Sequence, residues 1–298
     1  MTLRMMLALM LITPAAMTYP WDQVTHRWIL GVAVAVVVFL FARWRGAFVT
    51  TLIARRWAVW RRNRGGDRAA VADRVAVALR VTPGVVDTLS LPPLAGYLDR
   101  YGIRCSSIRV IARDGATDHD TWVSLVLDAS ANLAALQARS SDLPLDQTAQ
   151  VVARRLSEYL GELGLRAAVD QEPAAPLGSG VREKWTSAHD DDGELTVYAV
   201  AANADLQDRS GPSDPGVERW TVVEFSGTAA HPVVAAAYAV RGTEPVDGAV
   251  AQPGRQRPML EAMNPAAART LGLATSPAPT EWTWSVRTGA ELSQSNMN

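Results

Sequence analysis

Two short acidic clusters hold the groups in this chain best suited to chemistry. His189-Asp190-Asp191-Asp192 contains an Asp-x-Asp pair. Two carboxylates at that spacing offer the hard oxygen ligands that Mg²⁺ or Mn²⁺ prefers, and nucleotide-sugar glycosyltransferases hold a metal on the diphosphate in this way. A membrane-tethered glycosyltransferase using a metal at Asp190 and Asp192 is therefore the alternative function. The plainer reading is a solvated hairpin turn closed by Gly193, because Asp and Gly are what such a turn demands. Asp118-His119-Asp120 also carries metal-capable groups and is expected in a loop. At neither cluster is a metal expected.

Other chemistry is missing. A P-loop needs its lysine on the nucleotide phosphates, and the one lysine, Lys184, follows Glu183 in a predicted strand. H-E-x-x-H, C-x-x-C and G-x-S-x-G do not occur, and His26, His119, His189 and His231 are scattered. A single cysteine, Cys105, rules out an internal disulfide and fits a reducing compartment. The sequence thus gives no catalytic residue and no cofactor, and the expectation is a non-enzyme.

A third cluster is built for contact. Residues 47–62 read AFVTTLIARRWAVWRR. Val49, Ile53, Trp57 and Trp60 fall on one helical face. Arg55, Arg56, Arg61 and Arg62 flank it and can reach lipid phosphates or acidic loops of a partner. A partner-helix interface and a lipid anchor both remain open. The candidate interface is Arg55, Arg56, Trp57, Trp60, Arg61 and Arg62.

The elements that position this cluster are apolar. Residues 28–41, WILGVAVAVVVFLF, carry no charge, and Arg27 and Arg43 bracket them. A helix over 28–44 would be roughly 26 Å long at ~1.5 Å per residue. That nearly spans a hydrocarbon core of about 30 Å, with snorkelling arginines supplying the rest. Lipid offers the backbone no partner, so the run must be helical. An earlier run, 3–17, contains Pro14 and fits either a transmembrane helix or a cleavable signal peptide. The spacer 18–26 suits a tight hairpin. Seven arginines and no acid lie between 43 and 64, which places the rest of the chain on the cytoplasmic side of the inner membrane.

Charge follows the same division. Residues 1–66 hold nine Arg and one Asp, a net +8; the remainder holds 20 basic and 29 acidic residues, a net −9. The basic part is a membrane collar and not a nucleic-acid patch. The expected division is a transmembrane hairpin over 1–45, a juxtamembrane helix and hinge over 46–66, a cytoplasmic α/β domain over 67–289 and a mobile tail over 290–298.

Within the domain, 69–80 is expected as a short helix, with a strand as the alternative. A better helix is expected over 92–101, ended by Gly102. Alternation over 104–113 and the run 121–128 predict an antiparallel strand pair. Residues 145–163 make the strongest helix, with Leu145, Ala149, Val152, Leu156, Tyr159, Leu160 and Leu163 as its stripe. A strand over 166–170 should lie beside the hairpin. Strands follow over 181–188, 194–201, 218–226, 233–241 and 282–286. Asn264 should cap a short helix running from Pro265 to near Gly272. Trp122, Trp185, Trp220, Trp282 and Trp284 read as core or interface residues. Helices mixed with antiparallel hairpins make the class α+β, or mixed α/β.

The order of features resembles the EccE family, a membrane component of the mycobacterial type VII (ESX) secretion machinery. The likeness rests on the hydrophobic hairpin, the Arg/Trp cuff and the stretch 108–168, including TWVSLVLDASANLAALQARS and LPLDQTAQVVARRLSEYLGELGL. From Val181 onward it is loose. The resemblance implies a structural inner-membrane subunit whose partners are EccB, the ATPase EccC and the multispanning EccD, besides membrane lipid. It also implies a cytoplasmic fold like a degenerate glycosyltransferase, with Asp190 and Asp192 as remnants. The chain is short for the family, which points to the ESX system tied to iron and zinc uptake.

Overall fold

The computed structural model describes residues 43–44, 47–64, 73–115, 118–140, 144–203, 206, 217–242 and 250–287, with scattered positions between 6 and 37. The chain divides into two compact units, 1–66 and 67–298. In the first, Met6, Leu9, Met10, Trp28, Gly31, Val32, Val34, Ala35 and Val37 are helical. Among the described residues no helix is long and apolar enough to cross a membrane. The expected hairpin over 1–45 lies largely outside those residues, and so does the tail over 290–298.

Strands β1 (Arg43–Trp44) and β2 (Ala47–Phe48) pair antiparallel, and helix α1 (Val49–Asn63) follows. Helix α1 thus follows a short antiparallel strand pair. Gly46, a poor helix residue, stands where a continuous helix would have to pass.

The second unit is built on one long sheet. Its strands are β3 (Arg74–Thr82), β6 (Ile103–Asp114), β7 (His119–Asp128), β8 (Arg166–Asp170), β9 (Arg182–Glu183), β10 (Ala188–Asp190), β11 (Gly193–Val200), β12 (Arg219–Gly227) and β13 (Pro232–Arg241), in the order β8-β3-β7-β6-β12-β13-β11-β10-β9. Short strands β5 (Asp99–Arg100), β14 (Val250–Ala251) and β15 (Ser276–Pro277) add to it, and β4 (Thr88–Ser90) pairs with β16 (Thr283–Ser285) as a separate ribbon. The helices are α2 (Pro92–Ala95), α3 (Leu133–Gln137), α4 (Leu145–Glu162) and α5 (Gln256–Met263). From β3 through β6, β7 and α4 to β8 the connectivity is that of a ferredoxin-like unit, with its first crossover reduced to α2 and a 3₁₀ turn, Gly96–Leu98. Seven residue pairs, Asp114↔Arg219 through Ile108↔Phe225, join that unit to the rest of the sheet.

Both faces are buried. Leu79, Val81, Ile108, Val110, Val123, Leu125 and Leu127 meet α4 through Ala149, Val152, Leu156 and Leu160. On the other face Ala78, Ile111, Trp122, Trp220 and Val222 meet Met259, Leu260 and Met263 of α5. Trp122 and Trp220 stack there, 6.0 Å between centroids and 8° apart. Trp122, Trp220, Trp282 and Trp284 are all core residues, as the sequence suggests.

Several expectations need correction. The helix expected over 69–80 is strand β3 from Arg74 onward, because the Val-Ala alternation feeds both faces of the sheet. The helix expected over 92–101 stops at Ala95 and turns 3₁₀. Strand β8 lies beside β3, not beside the β6–β7 hairpin. No helix starts at Pro265: Asn264 accepts from the Ala266 amide in a turn, and the helix is α5, just before it. Pro258 is tolerated in the first turn of α5, where its missing N–H has no helical partner to lose. Finally, every strand pair among the described residues is antiparallel.

Candidate functional site

The Asp-x-Asp run does form a tight turn. Asp190 pairs with Gly193 across β10 and β11, leaving Asp191 and Asp192 as its two exposed loop residues. Asp190 is not solvated, however: its side chain has no exposed surface. Its Oδ1 accepts from Arg241 Nη1 at 2.7 Å and from the Asp192 amide at 3.1 Å. Its Oδ2 accepts from the Gly178 amide at 2.9 Å and from Arg241 Nη2 at 3.4 Å. The segment carrying Gly178, Ser179 and Gly180 packs against the turn. A Cβ at Gly178 would lie 2.9 Å from Asp192 Oδ2, and one at Gly180 2.7 Å from Asp191 Oδ1. Burial pushes the Asp190 carboxyl up, and the bonds from Arg241 and the two amides more than reverse that, so it titrates below its ordinary value. Asp190 is thus committed to an arginine, and a metal would have to displace it.

That pair ends a chain of charges along one end of the sheet. Arg241 also bonds Glu218 at 2.7 Å, Glu218 bonds Arg113 at 2.9 Å, and Arg113 lies 3.8 Å from Asp120. Asp120 closes on Arg80. Alternating charges therefore run from β3 to β10 beside the stacked tryptophans, and Trp122 Nε1 donates to Asp170 at 2.9 Å.

Asp118-His119-Asp120 is only partly a loop, for His119 and Asp120 open β7. His119 Nδ1 lies 2.7 Å from Asp114 Oδ1, while its Nε2 is buried without a partner. Burial raises the Asp114 carboxyl, and the His119 bond and the charges of His119, Arg287 and Arg219 only partly offset this. Among the described residues no three His, Cys, Asp or Glu side chains gather as metal ligands.

Arg109 escapes a reading of the sequence, where it looks like one polar position of an alternating strand. It is fully buried. Its guanidinium donates to the carbonyls of Ala262, Ala267 and Arg269 and to Ser124 Oγ, tying the segment after α5 to the sheet. Burial lowers it to about 10, against the pull of Glu224. Cys105 is buried too; burial pushes its thiol up to about 12 and makes it inert.

The Arg/Trp cluster is open. Ile53, Trp57 and Trp60 are 53%, 59% and 49% exposed along α1. The Arg61 guanidinium sits 5.7 Å from the Trp57 ring and that of Arg64 3.9 Å from Trp60. Arg61 and Arg62 occupy the last turn, where positive charge suits the helix dipole. Large apolar rings roofed by guanidinium groups are the composition of an interface hot spot.

Comparison with known proteins gives a consistent result. Residues 116–200 match the family described as "Putative type VII ESX secretion system translocon, EccE". A Mycolicibacterium smegmatis protein, "ESX-3 secretion system protein EccE3", is 39% identical over 98% of this chain and 96% of its own length. The protein of the same description from Mycobacterium tuberculosis strain H37Rv is 41% identical over 90% of this chain and 86% of its own length.

Proposed function

The chain belongs to the EccE family, components of the ESX type VII secretion system, and on that premise we propose that it is a structural subunit without enzymatic activity. It sits in the inner membrane with its α/β domain in the cytoplasm, oriented by the arginine collar. EccB, EccC and EccD are the neighbours proposed for it, and the machinery linked to iron and zinc uptake is the system it serves.

One observation carries the bracing role: the exposed Ile53-Trp57-Trp60 face of α1 with its arginine roof. Apolar length alone anchors a chain in lipid, and the run 28–41 supplies it. The rings of α1 are surplus to that need and suit a membrane-proximal element of a neighbouring subunit, the EccD-type one first. The occupied carboxylate of Asp190 supports the non-enzymatic reading, since the sugar-transfer alternative needs it free for a metal.

The test is recovery of partner subunits in mild detergent, where lipid contacts are largely replaced. Trp57→Ala with Trp60→Ala should leave the chain in the membrane fraction and strip it of partners. Full recovery of all partners with the double variant would leave α1 as a lipid anchor. A reporter fused after Asn298 should behave as cytoplasmic; periplasmic activity from it would reverse the topology.

A further inference from the structure

Tyr101 is the one non-glycine residue with positive φ among the described residues, at 59°. Arg100 pairs with Ile103, so Tyr101 and Gly102 are the two loop residues of the β5–β6 hairpin, and Gly102 has φ 71°. Such a loop takes Asn or Asp before Gly, because their short polar side chains tolerate the left-handed conformation. An aromatic ring here is strained, and strain of this kind gathers where a side chain has a task other than stability.

What surrounds the ring indicates the task. Tyr101 is 54% exposed. Arg100 lies 5.2 Å from its ring and Arg155, on α4, 4.6 Å. Arg100 also lies 5.6 Å from the ring of Tyr159. Neither guanidinium has a carboxylate partner at ion-pair distance among the described residues, although Glu158 and Glu162 share the helix with Arg155. On α4 the stripe through Arg155 and Tyr159 starts at Val151, 41% exposed, and ends at Leu163, 40% exposed. Residues four apart stand above one another on a helix, so these side chains make one strip. It flanks the face that α4 buries against the sheet, and Tyr159 packs partly on that core.

We propose that this strip is a docking surface for an acidic amphipathic segment of a different protein chain. Its carboxylates pair with Arg100 and Arg155, and its apolar side chains cover Tyr101, Val151 and Leu163. Charge complementarity selects the partner: the surface offers two ring-stacked guanidinium groups that make no ion pair among the described residues, a local positive spot that a short acidic segment can cover, whereas a second copy brings a whole domain of net charge −9 over 67–298. The inference rests on the reading that the chain works inside an assembly, and it uses a surface separate from α1.

The experiment places a photo-crosslinking amino acid at Leu163 of the full chain in its native membranes, with His231, an exposed loop position, as the control. Sequencing the captured peptide should find a segment of another chain rich in Asp and Glu with interspersed apolar residues. Arg155→Glu should lower the yield about tenfold, the change expected when a hot-spot contact is lost. Tyr101→Asn should lower it as well without lowering the thermal midpoint, because Asn suits the turn better. Capture of a second copy of this chain, of lipid, or of nothing beyond the His231 control would overturn the proposal. A chain that co-purifies with partners yet captures nothing at Leu163 loses only this surface. A chain that co-purifies with no partner loses both readings.

Discussion

Arg241 on β13 reaches past β11 to Asp190 on β10, 2.7 Å away, with Glu218 holding its other side. Three strands and the segment at Gly178 depend on that geometry. Losing that buried carboxylate leaves the mostly buried Arg241 guanidinium with Glu218 and the Pro176 carbonyl alone, so the pair is worth more for what its breakage costs than for its own attraction.

Asp190→Ala should cost about 3 kcal/mol, at the lower end for a broken buried pair because Arg241 retains Glu218. Asp192→Asn should stay within about 0.5 kcal/mol, as exposed turn changes usually do. The folded-state carboxyl of Asp190 is depressed, so its contribution is present above the unfolded value of about 3.9 and is lost as pH falls through the lower folded value. Urea unfolding of the two variants side by side checks this. Equal stabilities would mean the pair carries nothing.

Arg109→Met should lower stability by about 3–5 kcal/mol. It frees the carbonyls that hold the segment after α5 and removes the positive charge that acts on buried Glu224, whose hydrogen-bond donor is the Leu271 amide. Adding Glu224→Gln should recover part of the loss, since it removes the stranded charge. A double variant no better than the single would show that Arg109 acts through its carbonyl bonds alone.

Asp114→Asn should change the pH profile more than the stability. The raised carboxyl binds its proton more tightly in the folded state, so stability falls as pH rises from the unfolded value of about 3.9 through the higher folded value. Asn lacks that slope and can still accept from His119. Unfolding at a series of pH values between 4 and 7 should therefore give a flatter curve for the variant. An unchanged slope would place the titration elsewhere.

Gly84→Ala should cost about 1–3 kcal/mol by overpacking. A Cβ there would stand 2.2 Å from the Gly164 carbonyl oxygen, and that oxygen already accepts from the Val85 amide at 2.7 Å. Neither backbone can yield without loosening the end of α4. A wild-type melting temperature would show that the turn gives way.

What the sequence revealed depended on how local the signal was. Helix α4 was legible because Leu145, Ala149, Val152, Leu156 and Leu160 repeat at helical spacing and all are buried. The hairpin of β12 and β13 was legible for the matching reason in strands. Strand β3 was misread because Ala and Arg suit helices, and its two-sided burial becomes visible only once β7 and β8 lie beside it. Helix α5 was hidden by Pro258. The aspartate turn was read correctly from Asp-Gly chemistry, but Asp190 was placed in solvent because its partner, Arg241, stands far along the chain. Arg109 gave no signal, since the carbonyls it binds come from residues 262–269.

The pairing Asp114↔Arg219 also sets a clock. Synthesis runs at about 5–20 residues per second, so about 5–20 s pass between the appearance of β6 and of β12, its neighbour on one side. The matched stretch 116–200 holds β7 and β8 from one flank of the sheet and β9, β10 and β11 from the other, but none of the strands between β7 and β11. A nascent chain that has reached Val200 therefore offers the open edge of β6, with Ile108 to Ala112 along it, before its proper partner exists. Pairing over such sequence distance is slow to close. The sheet is therefore completed late in synthesis, and until then the edge of β6 presents unpaired backbone groups.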